Sequence, residues 1–129
     1  MIQRRAAAVL FACVLAFGGH ATSSARGADE GAAVFQKCYA CHSVQEGETG
    51  LPGPNLRGVI GRRAAFLPDF EYSPAMIEAG RSGLVWTEST LETFLADPRR
   101  ALLGTAMSFV GLPAESERAA VIDYLKRSP

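Results

Sequence analysis

Residues 37–43 read KCYACHS, which places two cysteines three positions apart and a histidine directly after the second. Cys38, Cys41 and His42 all carry side chains that bind metals or form covalent bonds. A cluster of this kind is typical of a structural zinc site, of a disulfide, or of the covalent attachment of a prosthetic group. The rest of the chain decides among these three kinds of site.

The N-terminal segment has the pattern of a secretory signal peptide. Arg4 and Arg5 precede an apolar run over residues 6–17, and the small-residue stretch HATSSARGA follows at 20–28. The apolar run is too short to cross a bilayer comfortably, so we expect export with cleavage and no stable membrane insertion. Cys13 lies inside the run with apolar residues beyond it, a position unsuited to lipoprotein attachment.

The predicted boundary divides the chain into a signal peptide, residues 1–28, and one domain, residues 29–129. A domain of about 100 residues has room for one hydrophobic core and no second one. The cleavage site itself stays open among four small residues: Ala21, Ala25, Gly27 and Ala28.

Cleavage of the signal peptide changes the inventory of reactive side chains. Cys13 and His20 are removed, so Cys38, Cys41 and His42 are the cysteines and the histidine that remain. Three arginines also leave, and the domain keeps 10 basic against 13 acidic side chains, a net charge of −3. Such a chain lacks the basic stripe that binds nucleic acid, and no nucleic-acid partner is expected.

Helical spacing of apolar residues predicts an all-α domain of three to five short helices joined by long loops. The first pattern, residues 29–42, places Asp29 and Glu30 in the first turn, where acidic groups suit the helix dipole. The last helix is predicted from about Ala114 to Arg127. No alternating pattern indicates a strand.

Two further helices are predicted between these ends. Ser73 is the expected N-cap of the first, which Gly80 is expected to end. Thr87 is the cap candidate of the second, which stops before Pro98. Residues 43–71 are rich in Gly and Pro and are predicted to form a loop. A small domain with so much loop needs a large apolar group to complete its core.

The residue inventory favours one chemistry for the KCYACHS cluster. A structural zinc site needs four ligands, and residues 29–129 contain no second Cys or His pair. A structural disulfide stays possible but leaves His42 without a role. The remaining interpretation is a C-x-x-C-H attachment site for haem c, with thioethers from Cys38 and Cys41 and His42 as an axial ligand of the iron.

The second axial ligand is predicted by elimination. The domain has no second histidine, and its lysines are Lys37, beside the motif, and Lys126. Met76 falls in a helical pattern that suits core packing, whereas Met107 lies in the glycine-bearing segment LLGTAMSF. We therefore predict Met107 as the ligand, with the alternative that it packs in the core and leaves an open iron site. His/Met ligation gives a relatively high reduction potential and suits electron transfer.

Six segments in order along the chain resemble the small soluble class I c-type cytochromes, close to the mitochondrial type and its bacterial relatives. They are GAAVFQKCYACH (31–42), GPNLRGVIGR (53–62), YSPAM (72–76), WTESTLETFLADPRR (86–100), GTAMSF (104–109) and RAAVIDYLK (118–126). The resemblance implies a cytochrome c fold wrapped around one covalently attached haem.

The resemblance also implies roles for individual residues. The carbonyl of Pro54 is expected to accept a hydrogen bond from the ring of His42, and Gly31 and Phe35 are expected to pack across Tyr124. Five further residues match positions that the family places near the haem propionates: Arg62, Tyr72, Ser73, Trp86 and Thr105.

The function that the resemblance implies is a monohaem carrier of single electrons, a periplasmic monomer that is not an enzyme. Its partners would be redox proteins, with a donor such as a quinol-oxidising complex and an acceptor such as a terminal oxidase, a reductase or a reaction centre. Two alternatives are an electron-entry subunit of a larger oxidoreductase and a haem peroxidase or ligand sensor with a labile Met107.

Three departures from the family pattern affect these expectations. Phe94 stands where the mitochondrial type usually has a tyrosine that hydrogen-bonds the methionine sulfur, and Leu103 replaces the proline before the glycine of the ligand loop. The ring of lysines around the haem edge is largely absent, with Arg99, Arg100 and Ala106 at three of its positions. We therefore expect partner docking to depend less on salt than in a strongly basic cytochrome.

Overall fold

The computed structural model describes residues 23–128. Five helices form the fold: α1 (Ser23–Phe35), α2 (Pro74–Arg81), α3 (Glu88–Ala96), α4 (Pro98–Ala101) and α5 (Glu115–Lys126). Within that range the extended backbone pairs only in an isolated bridge between Arg63 and Val85. The predicted all-α class with long loops is confirmed. None of the helices in these residues is long and apolar enough to span a bilayer.

Helix α1 differs from its predicted extent at both ends. Its described part starts at Ser23, so Asp29 and Glu30 lie in its interior and not in a first turn. Residues 23–28 contain no proline, so nothing in them prevents the helix from extending before Asp29. The helix ends at Phe35, and tighter turns continue to Cys41. The predicted boundary between residues 28 and 29 therefore falls inside this helix, while the cleavage candidate Ala21 lies outside the described residues.

Helices α1 and α5 cross at a close contact. A Cβ atom on Gly31 would lie 2.7 Å from Tyr124 Cβ, so the two backbones can approach this far only with glycine at that position. The rings of Phe35 and Tyr124 lie 5.1 Å apart between centroids, and Val121 of α5 is buried beside them. The packing of Gly31 and Phe35 on Tyr124 that the resemblance implies is present.

Side-chain caps begin the middle helices where the sequence predicted them. Ser73 Oγ accepts from the backbone N–H of Met76 at 3.2 Å, and Thr87 forms a reciprocal capping box with Thr90. Gly80 does not end α2, because the helix continues to Arg81. A Cβ on Gly80 would lie 3.0 Å from the backbone carbonyl carbon of Ala64, so this glycine is needed for packing.

Helix α4 was not predicted from the sequence. Asp97 caps it by accepting from the backbone N–H of Arg100 at 3.1 Å, and Pro98 provides its first residue. Helix α3 faces the core with Leu91 and Phe94, and the ring of Phe94 lies 5.0 Å from that of Trp86. The proline that ends one helix therefore starts the next, which leads directly into the segment that carries Met107.

Candidate functional site

The two cysteines and the histidine lie in consecutive turns just after α1. The backbone N–H groups of Cys41 and His42 both donate to the Cys38 carbonyl, at 3.0 and 2.9 Å. Cys38 is half-buried against the core, Cys41 is exposed, and both thiols are free. Burial raises the pKa of the Cys38 thiol, with a smaller opposing effect of Lys37. The tight turns hold the three side chains within one short segment.

One nitrogen of the His42 ring is fixed by the backbone. Its Nδ1 lies 2.8 Å from the carbonyl oxygen of Pro54, which can only accept, so Nδ1 carries the proton and donates. This tautomer leaves the lone pair on Nε2 free for a metal. Burial lowers the pKa of His42, and the bond to Pro54 opposes this effect only in part. The imidazole is thereby favoured in its neutral, metal-binding form.

Gly53 lies directly against the same ring. A Cβ atom at this position would lie 2.7 Å from His42 Nδ1 and 2.9 Å from the carbonyl oxygen of Cys41. The backbone N–H of Gly53 also donates to that carbonyl at 2.8 Å. Gly53 therefore leaves the space that the His42 ring occupies, which a larger residue would fill. Gly53 lies in the stretch GPNL (53–56), and the sequence alone predicted no role for it.

A polar network holds the segment around Pro54. The Asn55 side-chain amide donates to the carbonyls of Gln45 (2.6 Å) and Glu48 (3.0 Å), and its oxygen accepts from the backbone N–H of Arg57 (2.8 Å). These bonds tie the residues on both sides of Pro54 into one compact loop. Asn55 was missed from the sequence, although asparagine beside proline is a common signal of a turn.

Three of the five residues assigned to the propionates lie together. The Arg62 side chain donates to the carbonyls of Asn55 (2.8 Å) and Arg57 (3.0 Å). Tyr72 lies near Arg62, whose charge partly offsets the rise that burial causes in the pKa of Tyr72. The backbone N–H of Trp86 donates to the Arg62 carbonyl at 2.9 Å. Two N–H donors of the guanidinium are thus used by backbone carbonyls.

Ser73 and Thr105 have local roles in addition to their proposed one. The Ser73 hydroxyl accepts the α2 cap bond described above, which leaves its proton available to another acceptor. Thr105 Oγ1 accepts from the backbone N–H of Met107 at 3.3 Å. Met107 is half-buried against the core, and Met76 in the first turn of α2 is half-buried too. Burial therefore does not indicate which of the two methionines could bind a metal. They differ in that Met107 lies in a loop and Met76 in a helix.

The side chains that border the core suit a large, flat, mostly apolar group. Several apolar residues of the loops and of α2 and α3 are only half-buried and pack against the buried cluster: Leu56, Ile60, Met76, Leu84, Leu95, Leu102, Met107 and Phe109. Cys38 packs against the same cluster, and the chain also offers the Cys41 thiol, the His42 imidazole and the Arg62 guanidinium. These are the groups that a haem with covalent attachment, one axial nitrogen and two carboxylates would require.

The family model described as Cytochrome c matches residues 28–129. The chain belongs to the cytochrome c family. It is 46% identical over 96 residues to cytochrome c2 of Afifella marina. These residues cover 74% of this chain and 77% of the relative. It is 42% identical over 97 residues to cytochrome c-550 of Ancylobacter novellus, covering 75% and 91%. Cytochrome cH from Methylobacterium extorquens shares its fold with a TM-score of 0.69 at 35% identity, covering 78% of this chain and 97% of that one.

Membership of the cytochrome c family identifies the cofactor as haem c, attached covalently through Cys38 and Cys41. The zinc and disulfide interpretations of KCYACHS are thereby excluded. Thioether formation removes the ionisable thiols, so the raised pKa of Cys38 belongs to the chain before attachment.

A tyrosine pair beside the attachment site provides a pH-dependent contact. The hydroxyls of Tyr39 and Tyr124 lie 3.4 Å apart, and this bond, with burial as a smaller cause, raises the pKa of Tyr124 from 10.0 to about 12. Because the folded state favours the neutral phenol, the stabilisation is complete below pH 10 and is lost as the pH rises towards 12.

We expect Tyr39→Phe to bring the pKa of Tyr124 back towards its ordinary value of about 10. The measurement is a pH titration of the Tyr124 ring carbons by NMR, with unfolding by denaturant at pH 9 and 11.5. Between pH 9 and pH 11.5 the free energy of unfolding should fall less in the variant than in the wild type. A Tyr124 pKa of about 12 in the variant would contradict the assigned cause.

Proposed function

We propose that this cytochrome is an exported monomeric carrier of single electrons, with His42 and Met107 as the axial ligands of its haem iron. The observation that carries the proposal is the bond from His42 Nδ1 to the Pro54 carbonyl, at 2.8 Å beside Cys38 and Cys41. It prepares the free Nε2 of a neutral imidazole at the end of the attachment motif. The names of the cytochrome c2 and c-550 relatives agree with this function.

When bound, haem c supplies an iron that takes up and releases one electron. The residues of the chain keep that exchange free of other chemistry. Pro54 holds His42 in one tautomer and orientation, and the Met107 thioether would be the second protein ligand of the iron. With two protein ligands, the iron would have no position left for a substrate, and the protein is not expected to be an enzyme.

The residues Arg62, Tyr72, Ser73, Trp86 and Thr105 are proposed to surround the two haem carboxylates. Arg62 keeps its positive charge in a half-buried position, where it would offset the negative charge of a propionate. Trp86 is buried, and its backbone N–H donates to the Arg62 carbonyl, which fixes the backbone of Arg62. The proposed electrostatic support of the carboxylates therefore comes from a segment that backbone hydrogen bonds tie to Trp86.

The signal-peptide pattern of the N-terminal residues supports a periplasmic location. We propose that residues 1–28 are a signal peptide and that residues 29–129 form the mature domain in the periplasm. N-terminal sequencing or intact mass of protein from the periplasmic fraction tests the boundary. Retention of residues 1–28 in mature protein would contradict it.

The face around the Met107 segment is proposed as the docking surface for redox partners. Leu103 and Val110 flank Met107 in sequence and are 84% and 87% exposed, respectively. Arg99 and Arg100, in the last turn of α4, add two exposed charges just before the segment. A fitting partner is a redox protein with an apolar contact face and carboxylates at its rim.

We expect electron transfer to such a partner to depend on these apolar side chains more than on ionic strength. Replacing Leu103 and Val110 together by serine should lower the second-order rate constant about tenfold, because their burial in the complex is lost. Stopped-flow transfer to a purified terminal oxidase or reaction centre, measured across a salt series, provides the test. Phe66→Ser, at a side chain that is 58% exposed in another loop, is the control. A steep fall of the wild-type rate with salt would contradict the apolar surface.

A redox titration of the purified haem protein tests the proposed function as a whole. A high potential together with the near-infrared band of a methionine–iron bond is the expected result. Rapid binding of carbon monoxide by the reduced protein would instead indicate an open iron site and favour a ligand sensor or peroxidase.

A further inference from the structure

The segment that carries Met107 is irregular over residues 102–114, so contacts at its ends must fix its position. At its start the backbone N–H of Leu102 donates to the Pro98 carbonyl at 3.0 Å, and that of Thr105 donates to the Leu102 carbonyl at 3.1 Å. Both are bonds of local turns. They define the shape of the first residues but do not connect them to the rest of the core.

The far end of the segment is anchored to α3. The backbone N–H of Leu112 donates to the Leu95 carbonyl at 2.7 Å, and Leu112 is 2% exposed. Gly111 lies so close to α3 that a Cβ would be 2.9 Å from the carbonyl carbon of Ala96. The chain passes this point without room for a side chain, and its next two carbonyls face α5.

A single guanidinium satisfies those two carbonyls. Arg118 Nη1 donates to the carbonyl oxygens of Leu112 at 2.7 Å and Pro113 at 2.9 Å. Its Nε donates to Glu92 Oε1 at 2.5 Å, on α3. The Arg118 side chain is only 13% exposed. One planar group therefore joins α3, α5 and the end of the Met107 segment, which an ammonium group cannot do with the same geometry.

We propose that Arg118 is a positioning residue that keeps Met107 on the haem iron by fixing the end of its segment. The inference rests on the proposed ligation by Met107. The backbone bonds at the start of the segment lie within local turns, so the far end carries more of the restraint. The bonds to Leu112 and Pro113 oppose the outward movement that release of Met107 requires.

Cyanide binding to the ferric haem protein tests this inference, because cyanide enters only when Met107 leaves and its apparent affinity reports the fraction released. We expect Arg118→Gln to tighten the apparent Kd for cyanide about tenfold, since it removes the bridge between the two carbonyls and Glu92. The near-infrared band should weaken in parallel. Amide hydrogen exchange at Leu112 should become faster in the same variant.

Two controls separate positioning from general stability. Glu92→Gln removes the ion pair but leaves both carbonyl bonds, so cyanide affinity should change by less than about threefold. Val34→Ala weakens the core packing of α1, a helix to which Arg118 donates none of its three hydrogen bonds, and should leave cyanide affinity unchanged. If R118Q does not fold, Arg118→Lys replaces it, with a smaller shift in the same direction.

The outcomes are distinct. Wild-type cyanide affinity and an unchanged band in the Arg118 variant would overturn the inference while leaving Met107 ligation intact. An equal effect of Val34→Ala at matched unfolding free energy would overturn it as well. Absence of the near-infrared band in the wild-type protein would overturn the ligation itself, and the role of Arg118 with it.

Discussion

Met107→Ala is expected to lower the reduction potential by roughly 0.2 V, a part of the range of about 0.8 V over which axial ligands tune haem proteins. The thioether stabilises the reduced state of the iron relative to harder ligands, and alanine offers no replacement. The ferric protein should lose its near-infrared band, and the reduced protein should bind carbon monoxide quickly. Redox titration and carbon monoxide mixing measure these changes directly.

Met76→Leu is the matched control for this variant. Met76 is also half-buried against the core, so its replacement removes a thioether of similar environment without a change of size. Its potential, band and carbon monoxide behaviour should match those of the wild type. If Met76→Leu instead abolishes the band while Met107→Ala preserves it, the assignment of the second axial ligand is wrong.

Gly53→Ala is expected to destabilise the protein by about 2–4 kcal/mol, through overpacking against His42 and loss of the His42–Pro54 bond. The added Cβ would lie 2.7 Å from the imidazole Nδ1, and the neighbouring Cys41 carbonyl leaves it no alternative position. Tilting of the ring should also shift the NMR signals of His42 and lower the potential. Denaturant unfolding and NMR of the reduced haem protein measure both effects.

Gly47→Ala tests whether any methyl group in this loop has the same cost. A Cβ on Gly47 meets open space, but the residue adopts a left-handed backbone with φ of 71°, so alanine there has a backbone cost alone of about 1 kcal/mol. The His42 signals should not move in this control. Equal stability loss in the two variants, with His42 undisturbed in both, would show that contact with the ring is not the cause.

The capped helices were predictable because their signals are local. Ser73 and Thr87 cap α2 and α3 with their own side chains. Helix α5 begins one residue after its predicted start and ends one residue before its predicted end. Gly80 misled the prediction because its function is long-range. It makes room for the Ala64 backbone, and no sequence window around α2 contains that partner. Helix α4 is four residues long, which is too short for periodicity to reveal.

The part of the site that depends on cysteine and histidine was predictable, because these residue types are rare in the chain and have specific chemistry. The attachment motif followed from counting cysteines and histidines, and the contact between His42 and Pro54 from the family resemblance. Gly53, Asn55 and Arg118 were missed because their roles depend on which backbone groups come near them. Arg118 is separated by 26 positions from Glu92, a distance in sequence at which only the fold creates a pair.

The crossing of α1 and α5 has a consequence for how the molecule is made. Phe35, buried in the core, is covered by Tyr124 from the last helix, about 90 positions later in the chain. The domain therefore cannot close until its C-terminal helix has been synthesised and, for an exported chain, has cleared the translocation channel. Until that moment Cys38, which is half-buried against the core in the finished fold, is not yet covered, so the topology itself keeps open an interval in which haem can reach its thiol.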